Sequence, residues 1–481
     1  MTPTLRRIHA LLVAISAILV ALHSTGCGAP GGTAKSPTNA LSGKRDGVCD
    51  AACRRAASTL EALDRWNGWL SEAQRQEKYC KMASSPFSFY RGSAHLFWRD
   101  FANDPRLARF SSDGTVTVLS GDAHTENIGS FDDDHGTLVY ELNDFDESVI
   151  ADYQYDLWRM AISVALVGRQ LGYGDGAIAD RIDDFVEAYL DRIEEIADND
   201  RENDESYDGR RSVEPVADLL DEIADDNDPQ SLLDKWSAKT SGAERRFSAS
   251  PKLALVDAEG LAAFRAAIVR YGATLDGRLS YDADYFRVKD VAQRLGAGTG
   301  SIGFRRYYVL IEGPSDDPDD DVILDVKEQG SPSAWTFLDA GQSLVRSAQL
   351  NPAQRVVLAQ RALGRRVDDH LGWLNLDGVF FSVRALSPYK SSYPLEKLDD
   401  DERFAQLAIQ WGAVLATAHA RADGDFGGGL LRHNFDRSLF ELIDGNHKKF
   451  RTLVREIAFE YLERVIGDFE NFVAHRGSSC Q

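Results

Sequence analysis

Two short stretches of the chain alternate between hydrophobic and polar residues, which is the pattern of a strand with one buried face. They are residues 115–119 and Leu138–Leu142, and each predicts a β-strand. Apolar residues then recur every three or four positions across residues 157–171, so this segment predicts an amphipathic helix that begins near Asp156. Residues 175–240 are acidic and keep the helical spacing, which predicts a helical insertion.

A second strand-rich region follows this insertion. Its three predicted strands, residues 285–295, 304–312 and 322–328, form an antiparallel sheet. A glycine-rich turn at residues 296–303 joins the first two strands, and Lys327 lies on the third.

The rest of the chain returns to helices, with one hairpin between them. Asn351 followed by Pro352 is a favourable helix start, because asparagine caps the first turn and proline fits inside it. A hairpin is predicted at residues 373–386 and a further helix at residues 402–420. Helices and antiparallel strands in this order predict an α+β fold.

The composition is that of a folded protein, and its charge limits the partners. Of 481 residues, 43% are hydrophobic and 10% aromatic, while the formal net charge is -22. Such a surface repels phosphate backbones, so no nucleic acid is expected as a partner. Three acidic runs predict solvated loops, with calcium binding as the alternative although none has EF-hand spacing. They are residues 132–134, 316–321 and 399–402.

The N-terminus predicts export. Two arginines precede an apolar run at residues 11–22 that is too short to span a membrane stably. Small residues then lead to Cys27, which resembles a bacterial lipoprotein cleavage site. Residues 1–27 are therefore expected to be a lipoprotein signal peptide, with Cys27 lipidated and the protein anchored on the periplasmic or cell-surface side. The alternative is ordinary cleavage near Gly26, which leaves Cys27 free.

A flexible tether and a set of cysteines follow the signal peptide. Residues 28–54 are predicted to form the tether, because most of this segment, residues 28–47, is rich in Gly, Pro, Ser and Thr. Four cysteines beyond Cys27 allow three disulfide pairings in a compartment that permits oxidation. They are Cys49, Cys53, Cys80 and Cys480. A metal site formed by the first three is the alternative, but no histidine stands at ligand spacing.

Polar segments after the first two predicted strands indicate the chemistry. Residues 121–127 follow the first strand and residues 143–146 follow the second. When these segments lie side by side, Asn127 and Asp144 offer the oxygen ligands that magnesium prefers. Asp122 remains available to orient or deprotonate a hydroxyl group. With the glycine-rich loop and the strand lysine to hold phosphates, this set matches the phosphoryl-transfer template.

The remaining candidates complete this site. His124 is a second candidate catalytic residue, with orientation of the loop as its alternative role. Asp146 is either a second metal ligand or a solvated acid, and Asp156 is predicted to be structural. Contacts to the phosphates of a nucleotide are expected from Gly298, Gly300, Ser301, Gly303 and Lys327.

Each of these assignments has a structural alternative. Asp122 and Asp144 favour turns and could act only as caps there. The glycine-rich loop could be only a hairpin turn. Lys327 could form an ordinary ion pair with Asp325, two residues before it on the same strand.

Several separated segments resemble the bacterial family catalogued as domain of unknown function 2252. The segments are residues 89–92, 121–129, 143–147, 300–303 and 326–328. The resemblance extends from residue 55 to residue 475. Arg91 lies in the first segment, and the sequence gives no role for it.

Residues 121–127 also resemble, more distantly, the catalytic loop of aminoglycoside phosphotransferase-like kinases. Residues 144–146 are similar to the metal-binding segment of these kinases, and residues 156–157 to the Asp-Leu pair that follows it. The order differs, because the glycine loop and Lys327 come after the catalytic segments. A circular permutation would reconcile the two orders. The helix ending at Ala420 resembles the one that normally runs into the catalytic loop.

This resemblance implies a circularly permuted, protein-kinase-like two-lobed fold that uses ATP and magnesium. A helical lobe with the catalytic loop and the acidic helical insertion is expected at residues 55–284. The small sheet lobe is expected at residues 285–398, and C-terminal helices that complete the helical lobe at residues 399–481. Such kinases pair the strand lysine with a helix glutamate, and here Asp339 is the candidate substitute.

Three functions remain open. The leading one is an ATP-dependent phosphotransferase acting on a hydroxyl group of an unknown substrate. Because ATP is scarce outside the cytoplasm, the alternative is a catalytically inactive, kinase-shaped protein that binds a ligand or partner. A metal-dependent hydrolase ranks last, since the sequence lacks a histidine-rich ligand pattern. It would use His124 with Asp122, Asp144 and Asp146.

Replacing Cys27 with serine tests the predicted anchor. The variant should still be exported but should move from the membrane fraction to the soluble fraction, because its lipid anchor is lost. Cell fractionation followed by immunoblotting measures this. Membrane association equal to that of the wild type would show that Cys27 is not the anchor.

Overall fold

The computed structural model describes residues 51–242, 244–276, 281–282, 284–296, 298–338, 350–424, 430–477 and 480. The chain divides into two compact units, residues 1–53 and 54–481. Apart from the first residues of its first helix, everything described below belongs to the second unit. Cys27, the apolar run at residues 11–22 and most of the predicted tether lie outside the described residues.

The fold is mixed α+β, as predicted, with thirteen α-helices in the described residues. The first four are α1 (Ala51–Trp66), α2 (Glu72–Met82), α3 (Pro86–Gly92) and α4 (Ala94–Phe101). The next five, which include the predicted acidic helices, are α5 (Gln154–Gln170), α6 (Asp175–Ile196), α7 (Glu214–Asp226), α8 (Pro229–Trp236) and α9 (Ala258–Tyr271). The last four are α10 (Pro352–Leu363), α11 (Asp401–Arg421), α12 (Phe435–Ile443) and α13 (His447–Arg476).

The strands of the described residues form four antiparallel sheets. Two small sheets near the helices contain β1 (Val116–Leu119), β2 (Ile128–Asp132), β3 (Leu138–Leu142), β4 (Val149–Asp152) and, later in the chain, β13 (Ser391–Ser392). β5 (Ser237–Lys239) pairs with β6 (Arg245–Phe247). The largest sheet contains β7 (Leu253–Leu255), β8 (Val288–Arg294), β9 (Arg306–Ile311), β10 (Val322–Glu328), β11 (Gly372–Leu376) and β12 (Val379–Ala385).

The six-stranded sheet has the order β11-β12-β10-β9-β8-β7. The three consecutive strands predicted from the sequence are confirmed as β8, β9 and β10, and the predicted hairpin is confirmed as β11 and β12. Lys327 on β10 lies opposite Arg306 on β9 and Ser382 on β12. The glycine-rich loop connects β8 to β9, so it lies at the opposite end of the antiparallel sheet from the turn between β9 and β10.

The main core surrounds α5, which is buried along almost its whole length. Three fully buried tryptophans, Trp98, Trp158 and Trp411, fill this core. α11 packs closely against α6 at Gly412, where an added Cβ would lie 2.2 Å from the carbonyl oxygen of Phe185. A side chain at that position would therefore separate the two helices.

Local sequence determines where several helices begin. The predicted start of α10 is confirmed, because Asn351 Oδ1 accepts a hydrogen bond of 2.8 Å from the Gln354 N–H. Asp400, in one of the acidic runs, caps α11 in the same way. Another run departs from the prediction of solvated loops, since Asp321 is buried and pairs with Lys289. No described helix is long and apolar enough to cross a membrane.

Cys80 and Cys480 form a disulfide that joins α2 to the C-terminal end of the chain. This pairing confirms a structural disulfide for these two cysteines and removes Cys80 from the alternative metal site. Cys53 is also disulfide-bonded, and Cys49 lies outside the described residues.

Gly412→Ala is expected to lower the free energy of unfolding by about 2 kcal/mol or more, because the methyl group overlaps the Phe185 carbonyl oxygen. Gly467→Ala in α13 is the matched control, since a Cβ added there would have nothing within 4 Å. That control should gain about 1 kcal/mol from the higher helix propensity of alanine. Denaturant unfolding of both variants measures the difference, and equal stabilities would contradict the close α11–α6 contact.

Candidate functional site

One cavity of about 180 Å³ collects almost all of the predicted site residues. This volume is many times that needed for a single water molecule, so the cavity has room for a ligand. Its lining comes from the helices α1–α4, from the loops after β1 and β3, and from the six-stranded sheet. The glycine-rich loop contributes Gly298 and Gly300, and the charged and polar lining includes Lys78, Arg91, His95, Asp122, His124, Asn127, Asp144, Asp146, Glu147, Ser301, Arg306, Lys327, Arg384 and Lys390.

The loop that carries Asp122 begins with a tight turn at Gly121. The φ angle of Gly121 is +78°, and an added Cβ would lie 1.9 Å from the Glu147 carbonyl oxygen. Only glycine fits both conditions. The indole N–H of Trp98 donates a hydrogen bond of 3.1 Å to the Gly121 carbonyl, so the turn is fixed from both sides.

Asp156 anchors this turn from the first turn of α5. Its carboxylate accepts hydrogen bonds from the backbone N–H groups of Ser120 and Gly121, at 2.7 and 3.0 Å. Its Oδ2 also lies 3.5 Å from His419 Nε2 at the end of α11. The predicted structural role of Asp156 is confirmed, and α5 begins two residues earlier than the sequence predicted.

Asp122 is paired with a buried arginine of α5. Arg159 Nε donates to Asp122 Oδ1 at 2.6 Å. The guanidinium is fully buried and lies 4.3 Å from the ring centre of Tyr90 and 5.2 Å from that of Phe97. Burial raises the pKa of Asp122 to about 6, although Arg159 opposes this increase. Asp122 is therefore ionised at neutral pH yet basic enough to accept a proton.

His124 orients the loop. Its Nδ1 accepts a hydrogen bond of 3.2 Å from the Glu126 N–H, and its ring meets Phe87 edge-on. Burial lowers the pKa of His124 well below its ordinary value, so the imidazole is neutral. These contacts favour the alternative role, orientation of the loop, over general-base catalysis.

Asn127 is tied to the same loop. Its Nδ2 donates a hydrogen bond of 2.9 Å to the carbonyl oxygen of Asp122. Because the amide nitrogen is used in this way, the amide oxygen is the group that Asn127 can offer to a cation.

Lys327 lies close to both candidate metal ligands, Asp144 and Asp146. Its Nζ contacts the Asp146 carboxylate and lies 4.0 Å from Asp144 Oδ1. The expected proximity of Lys327 and Asp144 is thus found. The alternative pairing with Asp325 is wrong, because Asp325 binds both Nε and Nη2 of Arg306 instead.

Cations dominate the sheet end of the cavity. Partial burial raises the pKa of Asp144, but Lys327, Lys390 and Arg384 outweigh it and hold this pKa well below the ordinary range. Burial likewise opposes protonation of Lys327, yet Asp144 and Asp146 raise its pKa above the usual value. Asp144 is therefore an anion throughout the physiological pH range, as a metal ligand must be.

The glycine loop contributes unequally. Gly298, Gly300 and Ser301 line the cavity. Gly303 does not line it. Its φ angle is +98°, and a Cβ added there would meet Trp69 and Leu70. Its glycine is explained by backbone conformation and close packing rather than by a ligand.

The loop that carries Asp144 and Asp146 is held by α10. Arg355 is buried and donates hydrogen bonds to the carbonyl oxygens of Asp146, Ser148 and Gly330, at 2.7, 2.6 and 3.1 Å. Asp339, the predicted substitute for the helix glutamate, lies outside the described residues.

Several site residues were missed by sequence reasoning. Arg91 receives a role from the structure, since it lines the cavity and pairs with Glu126. Arg159 carried a detectable signal, because it is a charged residue in the apolar sequence of α5. Lys78 carried no such signal, because it stands in a polar segment typical of exposed surfaces. Arg384 carried none either, because it alternates with apolar residues along β12, where a polar position is usually expected to face solvent.

Comparison with known proteins gives one result. No curated protein and no solved structure matches the chain. A family model matches residues 71–475, which include every cavity residue named above. Of the two resemblances stated from the sequence, the one to this family is confirmed over these residues: the chain belongs to the bacterial family described as an uncharacterized protein conserved in bacteria, DUF2252.

Proposed function

We propose that the cavity is a kinase-like site for magnesium- and ATP-dependent phosphoryl transfer to a hydroxyl group. The observation that carries this proposal is the meeting of segments about two hundred residues apart in the sequence. Asp122, Asn127 and Asp144 share one cavity with the glycine loop and Lys327. These are the parts of the phosphoryl-transfer template.

The topology of the sheet supports the proposal. The glycine loop joins β8 to β9, Lys327 lies on β10, and α10 precedes the hairpin of β11 and β12. A glycine-rich first turn, a lysine on the third strand and a following helix are the order of a kinase small lobe.

The end of α11 supports a circular permutation. Thr117 Oγ1 on β1 donates a hydrogen bond of 2.8 Å to the His419 carbonyl oxygen. The helix that would run into the catalytic loop in the standard order therefore ends beside the strand that enters this loop. Such adjacency is what a permuted connection requires.

The residues present fit a hard divalent cation and a nucleotide. Asp144, Asp146 and the amide oxygen of Asn127 are oxygen ligands suited to magnesium, which would neutralise charge on the transferred phosphate. Lys327 and the backbone N–H groups of residues 298–301 would hold the phosphates. The acceptor oxygen forms a bond to the terminal phosphorus, the bond to the ADP oxygen breaks, and the acceptor proton goes to Asp122.

A kinase-shaped binding protein is the second candidate. It is favoured by the contact of Lys327 with Asp146, which occupies the phosphate-binding lysine. The hydrolase has less support, because the only group of three close histidine, cysteine or acidic side chains in the described residues is Glu187, Asp191 and His447, outside the cavity.

We also propose that the protein acts outside the cytoplasm, anchored to a membrane through lipidated Cys27. The proposal rests on the N-terminal sequence, and the serine variant described above tests it. An exported enzyme of this kind would need a supply of nucleoside triphosphate in its compartment.

Two nearly isosteric substitutions distinguish the proposed role of Asp144 as a metal ligand from that of Asp122 as the base. Asp144→Asn should weaken magnesium-dependent ATP binding at least tenfold, because the metal loses an anionic ligand. Asp122→Asn should leave that binding almost unchanged and lower turnover by about a hundredfold or more. Calorimetric titration with Mg·ATP and measurement of ADP release check both. If ATP binds equally to both variants and to the wild type, the kinase-like assignment is wrong; binding without any turnover identifies the binding protein.

The pH dependence of turnover provides a further check. Because the pKa of Asp122 is raised to about 6, its basic form is lost as the pH falls through that value. Turnover should therefore decrease about tenfold for each pH unit below about 6. Asp144 remains ionised over the same range, so loss of its charge does not contribute to this decrease. A pH-independent rate would exclude Asp122 as the base.

A further inference from the structure

The helical end of the cavity contains two buried polar groups that lack partners among the described residues. Lys78 on α2 is only 6% exposed and lines the cavity. It forms neither an ion pair nor a hydrogen bond with any residue that the structure describes. His95 on α4 is 2% exposed, and its Nε2 is buried without a hydrogen-bond partner. Lys78 therefore lines the cavity without a hydrogen-bond partner among the described residues, and an anionic ligand can supply the charge-assisted contact that it lacks.

The neighbours of Lys78 complete a wall built by the first four helices. Arg91 on α3 lines the same cavity. The ring of His95 stacks on Trp66 of α1, with ring centres 4.7 Å apart and an interplanar angle of 7°. Burial lowers the pKa of Lys78 to about 8, so its side chain is still mainly cationic at neutral pH.

The candidate base faces this wall. Arg91 and Glu147 are among the groups whose charges act on Asp122, and Glu147 also acts on Lys78. Glu147 is itself satisfied, because it accepts hydrogen bonds of 2.6 Å from the N–H and Oγ of Ser333. Asp144, in contrast, is surrounded by the cations of the sheet end. The cavity therefore has two ends, and Asp122 belongs to the helical one.

We propose that the helical end binds the phosphoryl acceptor and that the acceptor is an anion, a hydroxyl compound carrying a carboxylate or phosphate group. The anionic group binds Lys78 and Arg91, and the hydroxyl group of the same molecule meets Asp122. This inference rests on the proposed function for the identity of the acceptor, but the anion site itself does not. A cationic acceptor such as an aminoglycoside would place ammonium groups beside Lys78 and Arg91, where they are repelled.

Titration of the purified protein with inorganic phosphate, without nucleotide, tests the anion site directly. Lys78→Met should weaken phosphate binding at least tenfold, because a charge-assisted contact is lost. Lys81→Met is the matched control, since Lys81 lies on the same helix, pairs with Glu77 and does not line the cavity. The control should bind phosphate as the wild type does. The melting temperature of Lys78→Met should not fall, since the substitution removes a buried charge and keeps the apolar stem.

Three outcomes of the titration would overturn the proposal. In the first, Lys78→Met binds phosphate as tightly as the wild type does. In the second, only Lys327→Met loses phosphate binding. In the third, the wild type binds no phosphate at about 50 mM. Because these measurements need no nucleotide, they judge the anion site even if ATP does not bind.

An acceptor panel then identifies the anionic group. ADP release with Mg·ATP is compared for hydroxycarboxylates, phosphate monoesters of polyols and amino sugars. Stimulation by one of the first two sets supports the proposal and separates carboxylate from phosphate. Lys78→Met should raise the KM for that acceptor at least tenfold while the affinity for Mg·ATP stays the same. Stimulation by amino sugars alone, or by no set when Mg·ATP binds, contradicts an anionic acceptor.

Discussion

The candidate site depends on one buried carboxylate. Asp156 is 1% exposed and accepts the backbone N–H groups of Ser120 and Gly121. A buried charge is tolerated only when hydrogen bonds satisfy it, so the turn and the start of α5 fix one another. The same helix supplies Arg159 one turn later, and Arg159 holds Asp122. Contacts from α5 therefore fix the position of Asp122, the candidate base.

The charge of the cavity contrasts with that of the whole chain. The formal net charge is -22, yet the cavity is lined by six lysine and arginine residues and four acidic residues. An anionic ligand is thus repelled by the net charge of the chain and attracted at the cavity. This arrangement favours selectivity over a fast association rate. It also reconciles the acidic composition with the proposed nucleotide site, because the local cations rather than the net charge set the electrostatic potential inside the cavity.

The fold was more predictable than the partners within the site. β3 and the hairpin of β11 and β12 follow from local alternation, whereas β2 was missed because Gly129, Ser130 and Asp132 are weak strand formers that pair only through tertiary contacts. The proximity of the segments that carry Asp122 and Asp144 could be predicted, since each follows a strand. The partners of Asp122 and Lys327 could not, because Arg159 is stabilised by aromatic rings distant in sequence and Lys327 reaches across the cavity to Asp146.

The contact between Lys327 and Asp146 has a consequence for ligand binding. A lysine between two carboxylates offsets part of their negative charge in the absence of a metal. A magnesium ion at Asp144 and Asp146 would take over that neutralisation and would leave the ammonium group of Lys327 without its partners in a largely buried position. Phosphate oxygens would restore a partner to it. Metal and nucleotide are therefore expected to bind cooperatively, because either alone leaves a charge of the Lys327–Asp146 pair unsatisfied. In that interpretation the ion pair is the resting arrangement of the site, and it is compatible with either a transferase or a nucleotide-binding protein.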